Sequence, residues 1–576
     1  MKNINPLTLI GQFMSATNKF LLYLFINFLL LINASSLLAV EKKAVGAVAT
    51  GHPLATKAGL DILEKGGNAF DAAVAISSTL NVVEPAMTGL GGYGSTLIYD
   101  AKSKKISYLN GSGRFPIKAN SDLMRAPTPD YEKNRKGPKS ISTPGNLNSW
   151  KSMHSKYGVL PWNILFDSAI IYARDGFPVS PYMAVLISAS FNEFSEYSKS
   201  FYGINGRPLK EGELLIQKDL ANTYELIARE GTDPFYKGDI AKQIDKQIQE
   251  FGGFLSLADL NNDIAEWWDP IKLSYQGYDV YTIGTPGNGF SSLFALGVLE
   301  QFNLANMKHN SAEYLHILIE VLKKAAEVRL TQSGSVETRE NIVNNILNRD
   351  NFIKTASNIN LDQASEFITN YEKQSLNTTH FVVVDKWGNI VSSTQTLGRG
   401  FGSKVMIEGT GIWMNSSMFF STFEPKGNPM DIFPGKYKLS SNSPIIIMKS
   451  GKPWAALGTP GGHTIPQNVA QIIVNLIVFG MDMQKAIDLP KTAFFDDLNI
   501  VITESGIKDS IVSELKKKGH NIDNEHIATY IGLSGKIGNA MGVKIIQDNK
   551  GNMNYDTGID RRKDAWSTTH LLMKNY

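Results

Sequence analysis

The stretch LNTTHFVVVDKWGNIVSSTQT, Leu376 to Thr396, decides how the rest of the chain is interpreted. It predicts two strands, Thr379 to Asp385 and Asn389 to Thr396, joined by a short loop that contains glycine. If the end of the first strand pairs with the start of the second, Thr378 lies opposite Thr396 on the same face. A bulge in the loop would shift this register by one residue.

Two neighbouring hydroxyl groups favour catalysis only if a base is available. No histidine, lysine or carboxylate is obviously positioned for that role within the hairpin. If the peptide bond before Thr378 is cut, the new α-amino group, with an ordinary pKa of about 7.7 to 8.0, can act as base for the hydroxyl of the same residue. The simpler readings of Asn377 to Thr379 are a loop that enters a strand and an N-glycosylation sequon.

Composition sets the broad class. The chain of 576 residues is 43% apolar, 10% aromatic and 19% charged, which is typical of a globular protein with a sizeable core. A net charge of +3 without a basic cluster predicts no nucleic-acid partner. The absence of cysteine excludes disulfides, thiol nucleophiles and cysteine metal sites.

The first 39 residues have the pattern of a secretory signal. Lys2 and Lys19 precede the apolar run FLLYLFINFLLLI, and small residues lead to Ala39 before charge returns. We expect cleavage after Ala39 and export to the periplasm or beyond the cell. An uncleaved anchor is the alternative, but spanning needs about 20 apolar residues and Asn27 interrupts this run.

The remaining chain suggests layers of helix and sheet. From Ala44 a short strand precedes two helical stretches, which are separated by Gly66 to Asn68, and a glycine turn then leads into a strand. The middle, about Ser142 to Asn370, is predicted to be largely helical, and from Thr378 the pattern becomes strand-rich. The polar segment Asn351 to Asn377 is predicted to be an exposed linker.

Three glycine or hydroxyl motifs are weaker signals. In LGTPGGHTIPQ, the amides of Gly461 and Gly462 could point at one oxyanion, although a plain strand-to-helix turn is the alternative. The stretch KLSSNSP, Lys438 to Pro444, offers hydroxyls for a carboxylate or phosphate, or forms only a turn. GLGGYG leads into a strand and therefore does not predict a dinucleotide site. The histidines show no metal spacing, so no metal site is predicted.

Together, five stretches resemble the γ-glutamyltransferase family, also called glutathione hydrolases, in the family's order from about Ala44 to Trp566. They are GGNAFDAAVA, PFYKGDIA, LNTTHFVVVDKWGNIV, KLSSNSP and GTPGG. The resemblance implies an α+β fold, a four-layer αββα sandwich of the N-terminal-nucleophile hydrolase type. It also implies a proenzyme that cuts itself into a large and a small subunit.

The resemblance further implies a role for each matching residue. Cleavage would fall between Asn377 and Thr378, giving a large subunit 40–377 and a small subunit 378–576 that remain interleaved in one fold. Thr378 would be the nucleophile, its new amine the base, and Thr396 its hydrogen-bond partner. The remaining implied contacts are the amides of Gly461 and Gly462 for the oxyanion, and Ser440 and Ser441 for the substrate carboxylate.

The departures from the family's pattern concern the substrate. Members that bind a γ-glutamyl head group carry an asparagine, an acidic or amide residue, and an aspartate where this chain has Gly398, Ser417 and Phe420. Ser112 takes the place of the family's carboxylate-binding arginine, so that Arg114, two residues further on, becomes the predicted substrate contact. The GSGR pattern resembles a branch with acylase-like members.

Three functions are therefore carried forward. The first is transfer of a γ-glutamyl or related acyl group from an amide such as glutathione, through a Thr378 ester, to water or an amine. The second is an acylase for a non-glutamyl amide, and the third is an uncleaved exported binding module. The expected partners are a small amide or peptide and the two subunits of the same precursor, without a cofactor.

Overall fold

The computed structural model describes residues 45–333, 339–367, 377–438, 440–496, 498–525, 537–548, 553–561 and 564–567. The predicted leader 1–39 lies outside these residues. Within the described part of the chain, no helix has the length and apolar character needed to cross a membrane.

The strands are β1 (Gly46–Thr50), β2 (Tyr93–Asp100), β3 (Lys105–Gly111), β4 (Phe177–Pro178), β5 (Gly203–Ile204), β6 (Arg207–Pro208), β7 (Leu214–Leu215), β8 (Glu266–Trp268), β9 (Ile271–Tyr275), β10 (Tyr278–Thr282), β11 (Asn377–Asp385), β12 (Ile390–Gly398), β13 (Met406–Ile407), β14 (Ile412–Trp413), β15 (Ile445–Lys449), β16 (Lys452–Gly458), β17 (Thr492–Phe495), β18 (Ile500–Thr503), β19 (Met541–Gln547), β20 (Met553–Ile559) and β21 (Trp566–Ser567).

The α-helices are α1 (Pro53–Glu64), α2 (Ala69–Val83), α3 (Tyr131–Asn134), α4 (Asn146–Tyr157), α5 (Asp167–Asp175), α6 (Pro181–Ser190), α7 (Glu196–Tyr202), α8 (Lys218–Glu230), α9 (Asp233–Tyr236), α10 (Asp239–Glu250), α11 (Leu257–Asn261), α12 (Gly289–Leu299), α13 (Ala312–Gln332), α14 (Arg339–Asn341), α15 (Arg349–Ser357), α16 (Ile465–Ile477), α17 (Met483–Asp488) and α18 (Asp509–Lys517).

Two large antiparallel sheets organise the described residues. The first has the strand order β21-β1-β11-β12-β2-β3-β8, and the second has the order β20-β19-β16-β15-β10-β9. The predicted hairpin is therefore β11 and β12, and it lies at the centre of the first sheet. Its partners on either side are β1 and β2, which come from the first hundred residues of the chain.

Both faces of the central hairpin are buried. Val382 and Val384 pack with Ile446 and Val543 of the second sheet in one apolar cluster. The alternate face, including Val383, packs into a second cluster with α2, whose residues are all buried. Burial on both faces explains why the first strand is an unbroken apolar run rather than an alternating one.

The second sheet has its own covering of helices. Ile445 and Ile447 of β15 share an apolar cluster with residues of α12, α13 and α16. The sheets thus contact one another through one face and helices through the other. This arrangement of mixed helices and sheets confirms the predicted α+β class.

A buried carboxylate joins the hairpin loop to a helix. Asp385, at the end of β11, accepts hydrogen bonds from the backbone N–H groups of Ala69, Trp387 and Asn389 at 2.9 to 3.0 Å. Ala69 is the first residue of α2, where unpaired N–H groups favour an anion. Burial raises the pKa of Asp385, while these hydrogen bonds oppose that shift.

The structure confirms some expectations and corrects others. Gly66 to Asn68 separates α1 from α2, as predicted. The largely helical middle nevertheless contributes β9 and β10 to the second sheet, which the sequence did not predict. In the predicted exposed linker, most residues of 351–367 are exposed or half-buried, but Phe352 of α15 and Phe367 anchor the segment in the core of the second sheet. Residues 368–376 lie outside the described residues.

We expect Asp385→Ala to lower the free energy of unfolding by about 2 to 4 kcal/mol, because several buried N–H groups lose a charged acceptor together. Asp100→Ala is the matched control, since Asp100 also accepts from backbone N–H groups after a strand but at an exposed turn. That change is expected to cost less than about 1 kcal/mol. Thermal or denaturant unfolding in a Thr378→Ala background measures both, and equal losses would contradict the role given to Asp385.

Candidate active site

The two predicted hydroxyl groups meet at the open end of the hairpin. Thr378 Oγ1 donates a hydrogen bond to Thr396 Oγ1 at 3.2 Å. Beyond this point Thr379 pairs with Gln395, which is the register predicted from the sequence. The irregularity lies between Asn377 and Thr379 and not at the loop. Thr378 is only 7% exposed, so the pair is nearly closed off from water in the intact chain.

The Thr396 hydroxyl connects this pair to the peptide bond that precedes Thr378. It donates to the carbonyl oxygen of Asn377 at 2.6 Å and accepts from the N–H of Gly398 at 2.8 Å. A donor on a carbonyl oxygen draws electron density from the carbonyl carbon and stabilises an oxyanion that forms there. The arrangement can therefore activate the Asn377–Thr378 peptide bond toward attack.

A buried histidine lies on the same face of β11. His380 Nδ1 is 2.8 Å from Thr394 Oγ1, and burial lowers the pKa of His380 to about 3. The ring is therefore neutral at physiological pH. On the opposite face, the Thr379 hydroxyl donates to the carboxylate of Glu84 at 2.6 Å. The sequence did not predict either contact. Glu84 is distant from Thr379 along the chain, and the burial of His380 cannot be recognised from its neighbours in the sequence.

The glycine turn after β16 abuts this histidine. An added Cβ at Gly458 would lie 2.3 Å from the His380 ring, so only glycine permits this approach. Gly461 and Gly462 follow with φ of +141° and +57°, and α16 begins at Ile465. The turn thus places two flexible amides just before a helix N-terminus, the end of a helix that favours an anion.

The serine loop is anchored to the second strand of the hairpin. The side-chain amide of Asn442 donates to the carbonyl oxygen of Thr394 at 3.2 Å. Ser440 is buried, and its backbone donates to the carbonyl of Pro286 at 3.3 Å and accepts from the N–H of Asn288 at 2.9 Å. Ser441 is half-buried. The loop is therefore fixed two residues from Thr396 along β12.

The three positions that depart from the family's pattern form a tight, weakly polar wall. Gly398 has φ +96°, and a Cβ there would lie 2.8 Å from Ser416 Oγ and 2.9 Å from the Phe420 ring. The Ser417 hydroxyl donates to the hydroxyl of Ser142 at 2.5 Å. No side chain larger than glycine fits at Gly398 without movement of its neighbours, and the Ser417 hydroxyl is already hydrogen-bonded to Ser142.

The predicted substrate contact Arg114 is also engaged. Its Nη2 donates to Glu266 at 2.7 Å and to the Tyr437 hydroxyl at 2.8 Å, and the guanidinium stacks on the Tyr437 ring. The Tyr437 hydroxyl in turn donates to Glu266. None of the contacts described for the Arg114 side chain reaches Thr378 or Thr396. Across the described ranges, no cluster of three or more His, Cys, Asp or Glu side chains could hold a metal ion.

Known proteins resemble this chain over most of its length. The family model described as gamma-glutamyltranspeptidase matches residues 55–566. The chain is 34% identical over 529 residues to the glutathione hydrolase proenzyme of Bacillus subtilis (strain 168), covering 88% of each chain. It is 32% identical to the acylase ACY 1 proenzyme of Pseudomonas sp. (strain SE83), covering 83% of this chain and 87% of that one. The crystal structure of cephalosporin acylase from Bacillus halodurans superposes with a TM-score of 0.81 at 28% identity, covering 91% of this chain and 96% of that one.

We expect His380 to make stability fall as the pH falls. In the unfolded chain His380 takes up a proton below pH 6.5, whereas in the folded chain it does so only near pH 3. Folding therefore loses about 1.4 kcal/mol per pH unit from this residue below about pH 5.5, and His380→Gln removes that contribution. Denaturant unfolding at pH 7, 5.5 and 4.5 in a Thr378→Ala background measures the slopes. The buried His52 and His520 contribute equally with and without the His380→Gln change. Equal pH slopes of the unfolding free energy in the two proteins would therefore contradict the role given to His380.

Proposed function

Since the chain belongs to the γ-glutamyltranspeptidase family, we propose that Thr378 is the nucleophile of a self-processing amidohydrolase or acyltransferase. The observation that carries this proposal is the hydrogen-bond chain from the Thr378 hydroxyl through Thr396 to the Asn377 carbonyl oxygen. It joins a nucleophile, a second hydroxyl and a susceptible peptide bond within one hairpin. A protein that only binds a ligand does not need these three groups together.

In self-cleavage, Thr378 Oγ attacks the carbonyl carbon of Asn377. The hydroxyl proton passes to Thr396 as the proton of Thr396 passes to the carbonyl oxygen of Asn377, where negative charge develops. The C–N bond then breaks as the proton on that oxygen transfers to the nitrogen, the C=O bond re-forms, and an ester joins Asn377 to the Thr378 side chain. Water hydrolyses this ester, which leaves a carboxylate at Asn377 and a free amino group on Thr378.

In turnover, the new amino group is the base for the Thr378 hydroxyl. Attack on a substrate amide gives a tetrahedral oxyanion, for which the amides of Gly461 and Gly462 are the proposed donors. The leaving amine departs with a proton and the acyl group remains as a Thr378 ester. Water or an acceptor amine then takes the acyl group. These steps require no cofactor.

The proposed substrate is a small amide whose acyl group carries a carboxylate. Ser440 and Ser441 are the proposed inner contacts of that carboxylate, and Arg114 is an outer contact that must first release Glu266. Relatives named glutathione hydrolase and acylase support a γ-glutamyl or related acyl group. The crowded position of Gly398 beside Phe420 favours the second candidate, an acylase for a non-glutamyl amide.

The subunits are proposed to stay together as a four-layer αββα sandwich. Support comes from strand pairing across the proposed cut, because β1 from 40–377 pairs with β11 from 378–576, and β10 pairs with β15. A further support is the pair of sheets with helices on their outer faces. We propose export directed by residues 1–39, with the mature protein periplasmic or secreted.

Intact mass under denaturing conditions tests the nucleophile. Wild type is expected to give two fragments, the smaller beginning at Thr378, whereas Thr378→Ala stays one chain. Thr378→Ser keeps a hydroxyl and is expected to cleave, and Thr396→Val is expected to cleave at least about tenfold more slowly because the carbonyl of Asn377 loses its donor. Cleavage of the Thr378→Ala protein at this bond, or a folded wild type that stays intact, would overturn the proposal.

A further inference from the structure

A buried lysine beside the hydroxyl pair takes no part in the chemistry described above. Lys438 is fully buried, and its amino group has no hydrogen-bond partner among the described residues. Its Nζ lies 2.9 Å from the centroid of the Tyr93 ring. A buried amine without an acceptor is costly, so such a group needs an explanation.

Strand pairing places this amine close to the proposed nucleophile. Tyr93 of β2 is paired directly with Thr396 of β12. Paired residues of an antiparallel sheet point to the same side, with Cβ atoms about 5 Å apart. The Tyr93 ring therefore lies beside the Thr396 hydroxyl, and Lys438 covers that ring. Ser440, two residues further along the same loop, is held by the backbone of Pro286 and Asn288.

Among the described residues, no carboxylate accepts a hydrogen bond from Lys438. Burial lowers the pKa of Lys438 well below its ordinary value. The Asp263 carboxylate opposes this shift by raising the pKa of Lys438. Asp263 itself accepts a hydrogen bond from the Asn148 side chain, and burial raises the pKa of Asp263 to about 7. The other titratable group that faces Lys438 is Tyr93, whose pKa burial raises. The site is thus short of one negative acceptor.

We infer that Lys438 binds the carboxylate end of the acyl group. This inference rests on the proposed function, because it assigns a contact of the acyl group that Thr378 carries. A carboxylate supplies both the acceptor and the negative charge that Lys438 lacks. Arg114, the other cation nearby, is already paired with Glu266.

An α-amino group on the substrate is not required. The positions Gly398, Ser417 and Phe420 supply no carboxylate to hold an ammonium group, and the Ser417 hydroxyl is engaged by Ser142. The contacts of these residues therefore favour the carboxylate and offer nothing that holds the amine.

Four p-nitroanilides separate these features: γ-glutamyl (carboxylate and amine), glutaryl (carboxylate only), 4-aminobutyryl (amine only) and butyryl (neither). For the mature wild type, we expect kcat/KM of the first two compounds to exceed that of the last two by at least about tenfold. Similar values for all four compounds would overturn the inference.

Lys438→Met keeps the length of the side chain and removes its charge. We expect kcat/KM for the two carboxylate compounds to fall by about 10- to 100-fold, and that for the butyryl compound to change less than about threefold. Lys436→Met, at an exposed lysine of the same loop, is the matched control and is expected to leave kcat/KM of all these compounds unchanged. Arg114→Ala is expected to lower kcat/KM of the carboxylate compounds less than Lys438→Met does, because Arg114 is already paired with Glu266. A large loss in Arg114→Ala with none in Lys438→Met would assign the carboxylate to Arg114 instead.

Intact mass of each variant separates the two proposals. A Lys438→Met protein that cleaves itself and still turns over the butyryl compound has kept the Thr378 chemistry, so its loss on the carboxylate compounds belongs to binding. An equal loss on every compound would overturn the inference and leave Thr378 in place. Failure of wild type to cleave itself would instead overturn the proposed function.

Binding of glutarate to wild type needs neither a variant nor turnover. Calorimetry at about pH 7.5 is expected to show binding of glutarate and no binding of butyramide, which carries no carboxylate. Absence of glutarate binding, or equally tight binding of butyramide, would overturn the assignment of Lys438.

Discussion

Everything in this site depends on where the Thr396 hydroxyl lies. It accepts from Thr378, donates to the carbonyl of Asn377 and is fixed by the N–H of Gly398. A shift of one residue in the hairpin would turn Thr396 to the opposite face of the sheet and break all three bonds at once. The burial of β11 and β12 between a second sheet and α2 prevents that shift, because the side chains packed against one layer would have to fit against the other.

Much of this arrangement could be predicted from the sequence, because it is local. The register of the hairpin follows from the period of two and the length of the loop, and the glycine turn before α16 follows from its composition. The contacts of Glu84, Gly458 and Lys438 could not be predicted, since each joins parts of the chain that only the folded sheets bring together. β9 and β10 were missed because they are short and carry half-exposed polar residues at an edge of the second sheet. The roles of Thr378, Gly461, Gly462, Ser440 and Ser441 stay predictions from the resemblance to the family.

The same fold separates the reaction from the choice of substrate. Thr378 and Thr396 belong to the central hairpin, whose geometry is set by main-chain pairing with β1 and β2. The surrounding wall begins with Gly398 at the end of β12 and continues with Ser417 and Phe420 in the connection beyond it. A loop residue can be exchanged without moving a strand. The family can therefore keep one chemistry while the acyl group that it accepts changes.

The pairing of β1 with β11 has a further consequence for the life of the protein. In the precursor the two strands are parts of one chain, and folding is an intramolecular process. Cleavage at the proposed bond would put them on separate chains, so that an unfolded mature molecule would have to find its partner again at cellular concentration. The connection that helps to assemble the sheet would be lost in the step that activates the enzyme. The lifetime of the mature protein would then depend chiefly on slow unfolding.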